Sequence, residues 1–240
     1  MTAIKLISPV DGSVYAERTP LAPDAARSMA ARAKVAQKGW AARPLSERIA
    51  LVRQGVANLN AMKDRVVEEL AWQMGRPTRF GGEFGGVNAR TDYMAEIAEQ
   101  TLAPVIIEDS DKFRRYLARE ALGVVFIVAP WNYPYLTAIN TLVPALIAGN
   151  AVILKHASQT LLVGERLADA FHAAGVPADV SAKLNEAMAK TLAAKDLRDK
   201  LEQQGVELAA PTTPEQFAAL LNDDIVRWGQ IVKSSGASID

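Results

Sequence analysis

The chain has 240 residues, 50% hydrophobic and 22% charged, which is enough apolar text for one large domain or two small ones and argues against wholesale disorder. Lys plus Arg (27) balances Asp plus Glu (27), so no global basic field exists to hold nucleic acid or an anionic membrane surface. Cysteine is absent and His156 and His172 are the only histidines, which excludes disulfides, a thiol nucleophile in these residues, thiolate metal sites and a histidine-rich metal centre.

The opening MTAIKLISPVDG has no basic start followed by a long apolar run, so no signal peptide is expected and a cytoplasmic location follows as the expectation. Residues 8–19 alternate weakly around Asp11-Gly12 and predict a short hairpin. Helices are predicted over about 23–40, 44–60, 63–74 and 86–101, the third ended by Gly75 and Pro77. The period then changes. Segments 104–107 and 113–120 read as strands around the polar turn Glu108–Asp111.

No charge falls between Glu120 and Lys155, but Pro130, Asn132, Pro134, Pro144, Gly149 and Asn150 punctuate the stretch, so a membrane span is not expected. Residues 122–128 form a β-branched apolar run typical of a strand buried on both faces. A helix at 135–148 follows, stopped by Gly149-Asn150, then a second buried strand at 151–154 and an amphipathic helix at 161–174. Strand, helix, strand, helix is a βαβ unit, expected to be right-handed with parallel strands. Past Gly175-Val176-Pro177 the text changes to short charged helices at 179–194 and 196–204. A possible strand at 206–209 follows. A last helix is capped by Thr213 and carries Phe217, Leu220, Ile225 and Trp228 on one face.

In an open parallel sheet, ligands bind outside the carboxyl ends of the strands, and Asn132 and Lys155 both fall at such ends. An amide donor there can hold a developing oxyanion, and a lysine can reach ribose hydroxyls or phosphate. The same residues also read as a turn asparagine and a strand-capping lysine. Gly81–Gly86 does not fit a nucleotide-loop spacing and follows no strand, so it reads as a helix connection; His156 reads as a loop residue and His172 as a surface or packing residue.

Three motifs stand in order: Pro130-Trp131-Asn132-Tyr133-Pro134, then Ala145–Asn150 at a helix end, then Val152–Lys155 ending a strand. This set resembles the start of the NAD(P)-binding domain of the aldehyde dehydrogenase superfamily. The text from Ser8-Pro9-Val10-Asp11-Gly12 through Met74-Gly75-Arg76-Pro77 resembles the same family, over about residues 4–178 in all. The resemblance implies an α/β fold: an incomplete Rossmann-like parallel sheet preceded by helices and an oligomerisation hairpin at 104–120, and followed by a helical tail. It implies Asn132 as oxyanion donor, and Val128, Ala129, Pro130, Trp131, Lys155 and Ser158 as residues at the cofactor, NAD or NADP. Ser158 stands where NAD-preferring members often carry Glu, so a 2′-phosphate is not repelled. The text resembles semialdehyde-oxidising branches. The family's chemistry also needs a cysteine nucleophile, a glutamate base and a Gly-rich pyrophosphate loop; none of these motifs appears here.

Residues 179–240 resemble the carboxyl end of Bug-type solute receptors, through Ala182-Lys183-Leu184-Asn185, Thr213-Pro214-Glu215-Gln216-Phe217 and Arg227-Trp228-Gly229. The expectation is therefore a chimera with parts 1–178 and 179–240. It descends from an NAD(P)-dependent oxidiser of a small aldehyde, is truncated before the catalytic domain and is inactive as this chain. The alternative is a non-catalytic dinucleotide-binding or oligomerisation partner, as a homo-oligomer or with intact dehydrogenase subunits. A solute-binding module ranks third, because the ligand-clasping lobes are missing. No metal is expected.

Overall fold

The computed structural model describes residues 3–176 and 178–179. A hairpin of β1 (Ile4–Ile7) and β2 (Val14–Arg18) opens the chain. It turns at Gly12, whose φ of 76° suits glycine, with the Asp11 carboxylate accepting from the Ser13 N–H at 2.9 Å. The paired strands start four residues earlier than the turn-centred expectation, because pairing propagates away from the turn.

Four helices follow: α1 (Pro23–Ala41), α2 (Leu45–Ala61), α3 (Lys63–Met74) and α4 (Phe84–Leu102). Proline and Asp24 sit in the first turn of α1, and Gly75 ends α3 in the left-handed conformation at φ 73°. The expected helix at 86–101 begins earlier, at Phe84, so Gly85 and Gly86 are helical rather than connecting residues. A second hairpin, β3 (Val105–Asp109) with β4 (Arg114–Leu117), follows.

The βαβ unit is as expected. Strand β5 (Val124–Val128), helix α5 (Pro134–Ile147), strand β6 (Ala151–Lys155) and helix α6 (Val163–Ala173) come in that order, and β5, β6 and the short β7 (Ala178–Asp179) form a parallel sheet in the order β5-β6-β7. Strand β6 is buried throughout and alternates between two cores. Ala151 and Ile153 pack with Met29 and Ala33 of α1, while Val152 and Leu154 belong to the main core with α5 and α6. Strand β5 departs from the expectation of burial on both faces. Ile127 is buried, but Phe126 is 46% exposed, and among the described residues β5 pairs on one side only. An apolar β-branched run signals a strand but not its place at an edge. No helix among the described residues is long and apolar enough to cross a membrane. The tail helices expected past residue 179 lie outside the described residues.

Helices α2 and α6 approach closely at Gly55, where an added Cβ would lie 2.6 Å from Cδ1 of the fully buried Phe171. Gly55→Ala should therefore destabilise by about 1–3 kcal/mol. Gly39→Ala, on α1 with open space around the new Cβ, should instead stabilise by about 0.5–1 kcal/mol through helix propensity and reduced unfolded-state entropy. Thermal unfolding of both variants beside the parent checks the opposite signs.

Candidate functional site

The parallel register brings two of the expected site residues together and a third beside them. Val128 pairs with Lys155, and the Ala129 N–H donates to the Lys155 carbonyl at 2.9 Å. The 129–134 loop and the end of β6 therefore leave the sheet at the same edge, the carboxyl end.

Helix α5 carries this loop at its N-terminus and is held at both ends. At its C-terminus the last carbonyls lack helical partners. Side chains from α1 and α2 supply donors: Trp40 Nε1 to Leu146 O at 2.8 Å, Arg48 Nε to Ile147 O at 2.9 Å, and Gln37 Nε2 to Gly149 O at 2.9 Å. Gly149 turns the chain at φ 90°. Asn150 then joins three elements: its amide donates to Ala145 O at 3.0 Å and its Oδ1 accepts from the Gly123 N–H at 3.0 Å, ahead of β5. The Ala-Gly-Asn text thus sets where β5 and β6 start relative to α5.

At the N-terminus of α5, Glu83 accepts from the Leu136 N–H at 2.6 Å and from Arg76 Nη1 at 2.8 Å. Arg76 Nη2 donates to the Asn132 carbonyl, and the guanidinium lies 5.2 Å from the centre of the Tyr133 ring. Burial pushes the Glu83 carboxyl above its ordinary range, against the lowering by the Leu136 N–H and Arg76. Glu83 is buried and Arg76 partly so, and the pair joins the segment between α3 and α4 to the loop. Sequence reasoning missed it; the available signal was one carboxylate inside the glycine-rich stretch Gly81–Gly86.

Asn132 is exposed, and its Oδ1 accepts from the Tyr133 N–H at 3.1 Å. The Nδ2 donors make no hydrogen bond among the described residues. Trp131, Val128, Pro130 and Ser158 are exposed and Ala129 is buried. Lys155 differs from the freely reaching cation expected: it is buried, Nζ donates to the His156 carbonyl at 3.3 Å, and burial holds its pKa below the ordinary lysine value. Of the residues expected at the cofactor, Val128 and Lys155 are paired across the sheet. No acidic, cysteine or histidine cluster able to hold a metal is present among the described residues.

His156 is buried, with neither ring nitrogen hydrogen-bonded among the described residues, while His172 is exposed. His156 packs against Gly164, whose Cβ would stand 2.3 Å from Nδ1. Beside Tyr133 and Leu136 opens a cleft of about 440 Å³, walled also by Phe80 and Arg76 and floored by Gly82, Gly85 and Gly86.

A parallel βαβ unit preceded by a helical layer defines an α/β protein with a Rossmann-like sheet. The chain belongs to the aldehyde dehydrogenase family, whose profile matches residues 1–202. It is 36% identical over 160 residues to a benzaldehyde dehydrogenase [NAD(+)] of Pseudomonas putida, covering 60% of this chain and 30% of that one. It is 32% identical over 176 residues to vanillin dehydrogenase of Corynebacterium glutamicum, covering 72% and 36%. The crystal structure of an NAD-dependent benzaldehyde dehydrogenase from Corynebacterium glutamicum superposes with a TM-score of 0.67 at 31% identity, over 74% of this chain and 40% of that one. The chain spans about a third of the length of the curated relatives it matches.

Arg76→Met leaves the buried Glu83 carboxylate without its cation and should destabilise by about 3–5 kcal/mol. Adding Glu83→Gln should recover part of that loss in urea unfolding. His156 carries a pH signature. Burial, then the Lys155 charge, lowers its pKa from 6.5 to about 4. The folded state therefore excludes a proton that the unfolded state binds. Stability from neutral His156 is complete above about pH 6.5 and is lost as pH falls toward 4, by an amount on the order of 3 kcal/mol. Urea midpoints at about pH 7 and about pH 4.5 should fall less for His156→Leu than for the parent.

Proposed function

We propose that this chain carries the oxyanion and ribose-side half of an NAD(P)-dependent aldehyde dehydrogenase site and does not by itself oxidise aldehydes. The observation behind this reading is that the loop carrying Asn132 and the strand end carrying Lys155 leave the sheet at its carboxyl end, with the Asn132 loop clamped by Arg76 and Glu83. Where a nucleophile adds to the aldehyde, the Asn132 amide would donate to the carbonyl oxygen as negative charge develops there, and the fixed loop would spare reorganisation at that moment. Lys155 and Ser158 take the ribose of NAD or NADP, and Trp131 and Val128 cover the adjoining apolar face. When bound, the oxidised dinucleotide supplies the hydride acceptor. The thiolate that the reaction requires is absent from these 240 residues, so no covalent intermediate forms for Asn132 to stabilise. Similarity to the benzaldehyde and vanillin dehydrogenases supports small aldehydes as the substrate class. The reading takes the setting as cytoplasmic, since the chemistry draws on a soluble dinucleotide.

A second reading, association with further copies or with intact dehydrogenase subunits, is favoured by the β3–β4 hairpin, where Val105, Ile106, Ile107, Phe113, Tyr116 and Leu117 are all exposed. The receptor-like features of residues 179–240 lie outside the described residues, though the family match extends to residue 202. Their joining as a chimera remains part of the proposal on the tail's sequence alone, and solute binding has no further support.

The purified chain should produce no NADH or NADPH from aldehydes above a no-protein control. Tryptophan fluorescence on titration with NAD or NADP should show affinity weaker than micromolar, reduced further in Lys155→Ala. Turnover that survives Asn132→Ala, or micromolar binding lost in Lys155→Ala, overturns the crippled-site reading.

A further inference from the structure

We infer that the free edge of β5 is a dimerisation edge, on which β5 of a second copy of this chain pairs antiparallel about a twofold axis at Phe126. The surface is separate from the β3–β4 hairpin, and three observations carry it. The first is an edge without guards. Exposed strand edges are ordinarily blunted by charges, prolines or bulges. Both hairpins follow that rule. The β1–β2 pair shifts register between Leu6 and Ile7 and carries Lys5, Glu17 and Arg18, and the β3–β4 pair shifts between Ile106 and Glu108 and carries Asp109, Arg114 and Arg115. Strand β5 reads VVFIV, with neither charge nor proline, and runs along β6 without a register shift. Among the described residues nothing pairs with its other side.

The second is what that side presents. Gly123 O accepts from the Ala151 N–H, and the Ala129 N–H donates to Lys155 O, both at 2.9 Å. In a parallel ladder, alternate residues of a strand bond the same neighbour. Gly123, Val125, Ile127 and Ala129 therefore turn their backbone groups toward β6, and Val124, Phe126 and Val128 turn theirs outward. The side chains of these outward residues share one face of the sheet. Val124 packs against the cluster of Ala33, Ala151 and Ile153, whereas Phe126 is 46% and Val128 49% exposed.

The third is self-complementarity. With Phe126 opposite its own counterpart, Val124 of one copy stands opposite Val128 of the other. Opposed residues of this kind in an antiparallel ladder exchange both hydrogen bonds, so every outward N–H and C=O of Val124, Phe126 and Val128 meets a partner. The side-chain pairs are ring with ring and valine with valine, and no charge is desolvated. Pro130 is the next position in the alternation and has no N–H, so pairing stops at the same place on both copies. Each copy offers this edge once, and β7 across the sheet is only two residues long. The contact therefore closes as an isologous dimer and does not grow into a filament.

Sedimentation of the full chain over a concentration series should show a monomer–dimer equilibrium. Phe126→Lys, checked for fold by circular dichroism, sets like charges opposite each other and should weaken dimerisation at least about tenfold. Ile107→Lys, on the β3–β4 hairpin, should leave it unchanged. The absence of native cysteine gives a second readout, which decides if Phe126→Lys does not fold. Phe126→Cys should form a disulfide-linked dimer on mild oxidation, because the Cα atoms of such a pair lie about 5.5 Å apart. Val124→Cys, displaced from the axis, should cross-link at least about tenfold more slowly. A chain monomeric at every concentration overturns the inference, as does a dimer unchanged in folded Phe126→Lys or equal cross-linking at the two positions. Loss of the dimer in Ile107→Lys but not in Phe126→Lys places the contact on the hairpin and also overturns it. Hydrogen-exchange protection of the Val124, Phe126 and Val128 amides should rise with concentration; protection independent of concentration puts a segment of the same chain on the edge and overturns the second copy as its occupant.

Discussion

A carboxylate buried behind the first turn of a helix holds the geometry of the site together. Glu83 is taken out of water at a cost that the Leu136 N–H and the Arg76 guanidinium offset in part. The helix N-terminus adds its own positive end. Because Arg76 also reaches the Asn132 carbonyl, one ion pair fixes the start of α5, the end of α3, the start of α4 and the loop between strand and helix. The loop does not set its own conformation; four segments set it jointly.

The far end of α5 is fixed by a different means. Trp40, Arg48 and Gln37 donate to carbonyls in and just after its last turn, and Asn150 ties the helix end to the start of β5. A helix satisfied at both ends cannot slide without losing several hydrogen bonds from buried groups. The distance between the Asn132 loop and the end of β6 is therefore a property of α5 as a whole. The same logic holds after β6, where Gln73 Oε1 accepts from the Leu162 N–H at 2.8 Å and Arg166 pairs with Glu69 at 3.0 Å, fixing the chain that follows Ser158.

His156 shows what tight packing costs in hydrogen bonding. Its ring fills the space left by Gly164, so it is buried without a partner for either nitrogen among the described residues. Neutrality is the tolerable state there, which is why burial and Lys155 act on its pKa in the same direction. At the opposite extreme, the β3–β4 hairpin leaves apolar residues exposed on both faces. Buried polar groups and exposed apolar ones are the two departures from ordinary partitioning in this fold, and each marks a place where local packing does not decide alone.

The sequence by itself determined the order and type of the elements, because period and punctuation are local: alanine-rich text for α1, β-branched runs for β5 and β6, and Gly75 and Gly149 as stops. Its Pro-Trp-Asn-Tyr-Pro, Ala-Gly-Asn and strand-ending Lys motifs were also legible, and the family match covers them. What only the tertiary structure decided are relations between distant positions. Neither Arg76 nor Glu83 carries a local signal for contact with residues 132 and 136. Lys155 is a charge in the sequence and a buried amine in the fold, because it ends a strand covered along its whole length. Phe126 belongs to an apolar run but is partly exposed, since β5 pairs on one side only among the described residues. Period reports which face a residue takes on its own element, and burial depends on what other elements lay against that face.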